Sequence, residues 1–237
     1  MVTPPFPRVV PMGDRALVIE FGDCADPVLS SHIAALAQRL RTSPPAGVLD
    51  IVPTYTTLAL HYDPARVEDG DSPYDALAGQ VEAWLRAEPP ESTVQGRSIE
   101  IPVCYGGEFG EDLEALAERH GLRQEDVVRL HSEARYHVHM LGFVPGFAYL
   151  GGLDARLATP RRDSPRPKVP AGSVAIGGTQ TGIFPLETPG GWHLIGRTPL
   201  RLFTPGAEPP CLLNAGDSVR FAPISAGRFA SLAREHA

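Results

Sequence analysis

The sequence predicts an α+β protein in two parts: a small layer of strands and helices over residues 1–92, then a β-rich, barrel-like unit over residues 93–237. Three observations predict it. Two N-terminal segments carry apolar residues at helical spacing and alternate with short β-branched runs. The segment Glu88-Pro-Pro-Glu-Ser has linker composition. Pro and Gly number 25 and 24 of 237 residues, and 21 of them fall within residues 142–206, where turn signals separate short strands.

The elements follow in order. Residues 14–21, Asp-Arg-Ala-Leu-Val-Ile-Glu-Phe, read as a strand. Residues 27–41 read as a helix, with Pro27 in its first turn and Ile33, Leu36, Ala37 and Leu40 on one face. Val48 to Val52 and Thr56 to Tyr62 read as two strands around Pro53. Pro73 to Arg86 reads as a second helix with Leu77, Val81, Trp84 and Leu85 inward. Ile99 to Cys104 is a strand ended by Gly106-Gly107. Helices follow over 111–120, with Gly121 at the C-terminal end, and over 124–134, with Val127, Leu130, His131 and Ala134 on one face. Tyr136 to Leu141 alternates as a strand, which sets His137 and His139 opposite Val138 and Met140. Gly172 to Ile176, Trp192 to Ile195, Pro199 to Phe203 and Ser218 to Ala222 complete the predicted strands.

Composition excludes several classes. Pro plus Gly is about a fifth of the chain, below the roughly 25–30% of low-complexity sequences, and 43% hydrophobic content supports a folded core. No apolar run approaches the roughly 18 residues of a membrane helix. Met1-Val-Thr-Pro-Pro-Phe-Pro-Arg8 lacks the basic start and apolar stretch of a secretory signal. Cys24, Cys104 and Cys211 are odd in number and far apart, with no CxxC, so neither a disulfide framework nor a zinc ribbon is indicated. A cytoplasmic protein with no membrane role is expected. The net charge of −7 disfavours nucleic acid. Residues 136–237 nevertheless carry ten Lys/Arg against six Asp/Glu, which suits a small anionic ligand.

Four segments offer chemistry, each beside a plainer reading. Gly177-Gly-Thr-Gln-Thr-Gly182 is either a loop whose N–H groups cradle an anion or a hairpin turn. It lacks the Gly-Lys-Ser/Thr of a P-loop. Thr159 to Pro170 presents Arg161, Arg162, Arg166 and Lys168, the only lysine, on a proline-stiffened segment. That segment is either an anion grip or a solvated surface loop. His193 is a candidate proton donor or acceptor, with Arg197 and Thr198 following at the strand end. His137 and His139 form a possible metal pair without a third ligand at telling spacing, so no metal is expected.

The long motifs are more specific. Leu141-Gly-Phe-Val-Pro-Gly-Phe-Ala-Tyr-Leu-Gly-Gly-Leu153, Thr159-Pro-Arg-Arg, Pro165-Arg-Pro-Lys-Val-Pro-Ala-Gly-Ser-Val174, Pro189-Gly-Gly-Trp and Leu194-Ile-Gly-Arg-Thr-Pro199 occur in this order. Together with Gly13-Asp-Arg-Ala-Leu and Val52-Pro-Thr-Tyr, they resemble the B-component family of 5-oxoprolinase subunits. That family is also called allophanate hydrolase subunit 1 and sporulation-kinase inhibitor-like protein. The resemblance covers nearly the whole chain.

The resemblance implies a ferredoxin-like α/β sandwich over residues 1–92 and a cyclophilin-like β-barrel over 93–237. It implies a tight heteromer with the C component of 5-oxoprolinase, further work with the A component, and ATP-dependent opening of 5-oxoproline to glutamate. ATP with Mg is the implied cofactor, bound through this chain or mainly through the C component. A lactam is a poor electrophile, so phosphorylating its oxygen calls for cationic and N–H donors. Arg197 and His193 are then the candidate catalytic residues. Arg161, Arg166, Gln180, Thr181 and Thr198 are candidates for substrate or phosphate contact, with Phe143, Phe147 and Tyr149 as pocket wall. Alternatives are an interaction module that inhibits a sporulation-type histidine kinase, and a component of a urea carboxylase or allophanate hydrolase system.

Overall fold

The computed structural model describes residues 7–24, 26–67, 72–87 and 96–235. The linker segment Glu88–Ser92 and residues 1–6 lie outside the described residues. The chain divides into two compact units, Met1–Gln95 and Gly96–Ala237.

The first unit is built from β1 (Arg8–Pro11), β2 (Ala16–Glu20), α1 (Pro27–Thr42), β3 (Val48–Pro53), β4 (Thr57–Tyr62) and α2 (Pro73–Ala87). Its sheet has the order β1-β2-β4-β3 with every pair antiparallel. The Asp26 carboxylate accepts from the N–H groups of Val28 and Leu29, both at 2.9 Å, so α1 begins on a proper cap with Pro27 just inside. Helical spacing then turns Ile33, Leu36, Ala37 and Leu40 onto the sheet, against Leu17, Ile19, Leu58 and Leu60. Leu77 and Val81 of α2 close the same core. The edge strand β1, which is not among the predicted strands, pairs with β2, and its Val9 carbonyl accepts from the Tyr74 hydroxyl of α2 at 3.3 Å.

The second unit holds β5 (Ser98–Tyr105), α3 (Leu113–Arg119), α4 (Gln124–Glu133), β6 (Tyr136–Leu141), β7 (Ala148–Gly151), β8 (Arg166–Val169), β9 (Ser173–Gly177), β10 (Gln180–Ile183), β11 (Thr188–Gly190), β12 (His193–Arg197), β13 (Ser218–Pro223) and α5 (Ala226–Glu235). Seven strands close a barrel in the order β10-β7-β6-β13-β5-β12-β9, while β8 and β11 pair separately. Only β5 and β13 run parallel among the barrel pairs; Asp217 joins their starts by accepting from Arg97. Ile101, Val103, Val138, Leu150, Val174, Ile176, Ile195, Val219 and Phe221 fill the core, with α3 and α4 packed on it through Leu116, Val127 and Leu130. No helix of the described residues is long and apolar enough to cross a membrane.

Two expectations change. Pro199 to Phe203 is not a strand. Pro199 has no N–H to offer, and the Thr198 hydroxyl captures the Leu200 N–H at 3.3 Å, so the chain turns away; only Phe203 forms a bridge, to Cys211. The regular alternation of β6 also fails. A register shift against β7 between Val138 and Met140 buries His139 as well as Val138.

Candidate functional site

The dense Gly/Pro stretch folds into the walls of an aromatic cavity. Phe147, Phe184 and Trp192 are buried together in a cluster of their own. Their rings meet edge to face, at 5.5 Å for Phe147–Phe184 and 5.8 Å for Phe147–Trp192. Tyr149 and Phe143 stand against Phe147 at 5.1 and 5.6 Å. Phe143 has φ +66° and is 63% exposed. A bulky residue rarely holds that conformation, and here it sets an apolar ring on the cavity rim. The cavity measures about 290 Å³ and is lined by Phe143, Phe147, Tyr149, Phe184 and Trp192, with Arg161, Pro165, Pro189, Gly190 and Gly191. Glycine is required behind its wall: a Cβ on Gly177 would stand 2.7 Å from the Trp192 indole.

Arg161 is the cation of this cavity. Its guanidinium lies 5.8 Å from the centre of the Trp192 ring, over a face that attracts positive charge. The neighbouring cations are committed elsewhere. Asp112, buried at the start of α3, accepts from Arg162 at 3.1 Å, from Arg166 at 2.8 Å and from the Leu194 N–H at 2.7 Å. Burial raises its pKa, but the Arg166 hydrogen bond, the Leu194 N–H and the two positive charges outweigh that and hold the carboxyl below its ordinary range. Asp112 thereby ties the 160–166 segment to both α3 and β12. Arg162 Nε and Arg166 Nη1 are buried donors without an acceptor among the described residues. Lys168 faces outward to Glu187 at 3.2 Å.

The candidate residues thus separate. Phe143, Phe147, Tyr149 and Arg161 converge on the aromatic cavity, and Arg166 braces it from behind. His193 opens onto an adjoining cleft, where its Nε2 donates to the Pro160 carbonyl at 2.9 Å. Arg197 and Thr198 line a different groove, beside Pro185, Phe203 and Phe229. The Arg197 Nε donates to the Ala171 carbonyl at 2.9 Å, and Thr198 is buried. The register of β12 shifts between Leu194 and Gly196, which helps explain why His193 and Arg197 do not meet. The Gly177–Gly182 segment is a hairpin: Gly177 pairs with Gln180 across a two-residue turn in which Gly178 has φ +64°. Gln180 flanks this turn. Thr181 lies wholly inside the barrel, where its hydroxyl donates to the Ala175 carbonyl at 3.1 Å and pairs with His131 Nε2 at 2.9 Å. The other nitrogen of His131 pairs with the Tyr105 hydroxyl at 2.8 Å. Full burial lowers the His131 pKa to about 3.

His137 and His139 do face each other, with ring centres 5.2 Å apart. Among the described residues no group of three His, Cys, Asp or Glu could hold a metal ion. Cys24, Cys104 and Cys211 are free thiols. Sequence reasoning missed Asp112, Phe184 and Trp192 as site residues. Trp192 had a signal, its place in Pro189-Gly-Gly-Trp; Asp112 had none, because its partners lie 50 or more residues away.

The profile of the carboxyltransferase domain, subdomain C and D, matches residues 7–213. The chain is 44% identical to the B component of 5-oxoprolinase from Bacillus subtilis (strain 168), over 92% of this chain and 93% of that one. It is 44% identical to the B component of 5-oxoprolinase from Escherichia coli O157:H7, over 91% and 95%. Among solved structures, TTHA0988 superposes with a TM-score of 0.78 at 40% identity, covering 90% of this chain and 40% of that one. The Kluyveromyces lactis urea amidolyase superposes at 0.73 over 96% of this chain and 15% of that one; at 19% identity it shares the fold.

Proposed function

The chain belongs to the B-component family of 5-oxoprolinase subunits and carries the carboxyltransferase subdomain C and D signature, and from that premise we propose that it binds 5-oxoproline for ATP-dependent ring opening. It acts in a complex with the C and A components of that enzyme. The observation that carries this reading is the aromatic cavity holding one guanidinium without a carboxylate partner among the described residues. A five-membered lactam offers apolar ring faces for Phe147, Tyr149 and Trp192 and a carboxylate for the planar fork of Arg161. ATP, with Mg held through this chain or by the C component, would supply the phosphoryl group that activates the lactam and leave as ADP. Arg161 orients the substrate and balances its charge. The aromatic wall excludes water until ring opening, and His193, in the adjoining cleft, serves the charged steps; Arg197, in a separate groove, is assigned none.

We read the first unit as a ferredoxin-like layer whose fourth strand comes from the N-terminal β1, because the order β1-β2-β4-β3 is all antiparallel. We read the closed barrel as cyclophilin-like. Neither fold name implies activity.

Reconstitution with the A and C components tests the function. We expect ATP-dependent glutamate release from 5-oxoproline. Arg161→Gln should raise KM at least tenfold, on the order of the 1.4 kcal/mol or more that a charged hydrogen bond contributes. No release by a complete, folded complex would reject the reading.

A further inference from the structure

We propose that the cleft on the far side of Arg161 is a phosphoryl-binding site. It measures about 390 Å³ and is lined by Arg119, Arg161, Arg162, Asp163, Ser164 and His193, together with Pro160. Its chemistry is the opposite of the aromatic cavity: three guanidiniums, an imidazole and a hydroxyl, with no aromatic wall. Three elements far apart in sequence supply them. Arg119 comes from the last turn of α3, residues 161–164 from the loop before β8, and His193 from the start of β12.

The cleft is built before any ligand arrives. The Arg162 N–H donates to the Gly191 carbonyl at 2.7 Å, and its side chain is held by Asp112. The Pro160 carbonyl only accepts, so His193 Nε2 carries a hydrogen, and Nδ1 meets a phosphoryl oxygen only where one of the two carries a proton. Asp112 is shared by Arg162, Arg166 and the Leu194 N–H, and Arg166 also meets Glu111 at 3.5 Å, so these two cations are balanced by two carboxylates. Arg119 and Arg161 have no carboxylate partner among the described residues. The excess positive charge at the cleft is therefore that of Arg119 and Arg161, and a tetrahedral oxyanion with several terminal oxygens accepts from both forks at once. Asp163 is the one acid on the rim.

Arg161 lines both the cleft and the aromatic cavity. In the reading above, on which this reaction role rests, a phosphoryl group in the cleft therefore sits beside the lactam. The binding site itself does not depend on that reading.

The test is calorimetric titration of the intact chain with pyrophosphate and, separately, with a non-hydrolysable ATP analogue; the tighter ligand identifies the source of the phosphoryl group. We expect Arg119→Gln to weaken pyrophosphate at least fivefold, and Lys168→Gln, which removes an outward cation, to leave Kd within twofold. Absence of binding by the folded chain, or equal losses in the two variants, would overturn the site. A parallel titration with 5-oxoproline separates the two ideas. Pyrophosphate binding without 5-oxoproline binding leaves the cleft standing and removes the lactam pocket; the converse removes the cleft.

Discussion

Asp112 organises more of the site than any residue that faces a ligand. Its carboxylate joins α3, the Arg162–Arg166 segment and β12, and its own N–H donates to the Leu194 carbonyl at 2.9 Å. Asp112→Ala strands the partly exposed Arg162 and leaves Arg166 with only the longer Glu111 contact at 3.5 Å, so we expect a loss of about 2–4 kcal/mol in urea unfolding. A loss under about 1 kcal/mol would show that the arginines find water instead. His131 makes a second prediction. Its folded pKa is depressed from 6.5 to about 3 by burial. The unfolded chain takes up a proton near pH 6.5 that the native state refuses, so stability falls as pH drops from 6.5 toward 3. The slope reaches about 1.4 kcal/mol per pH unit. His137, also lowered by burial, acts in the same direction. Urea midpoints from about pH 7.5 to about pH 4.5 should be flatter in His131→Gln than in wild type; equal slopes would refute the assignment. Helical spacing marks His131 as an inward residue of its helix, because that signal is local. Nothing local marks Thr181 as its partner, because that hydrogen bond spans 50 residues.

At the level of elements, local chemistry decides what can be read. Helix α1 is legible from Pro27 onward because its first-turn proline and its apolar face, Ile33 to Leu40, are local signals within one helix. We expect Asp26→Ala to cost about 1 kcal/mol, measured as a lower thermal midpoint of the first unit. The strands β2 to β6, β9, β12 and β13 are legible from apolar runs and turn residues. β7, β10 and β11 are only three or four residues long and hide among glycines. Arg166–Val169 reads as part of a cation-bearing loop, yet it is β8, whose pairing with β11 depends on a distant partner. The motif points to the aromatic wall but not to its separation from Arg197, since a one-residue slip in β12 redirects everything after it.

For the whole molecule, the cores do not mix. One buried cluster draws only on residues 9–85; the other two draw only on residues 99–221. A fragment spanning residues 96–237 should therefore unfold cooperatively on its own, with a calorimetric peak and retained near-ultraviolet dichroism; a molten fragment would contradict the separation. The two tryptophans divide the same way. Trp84 packs in the first core and Trp192 forms the wall beneath Arg161. With Trp84 replaced by Phe, the remaining indole emits from the aromatic cavity alone. Occupancy there becomes an optical signal, visible as quenching or a wavelength shift in the unlabelled protein, while denaturation of the first unit goes dark.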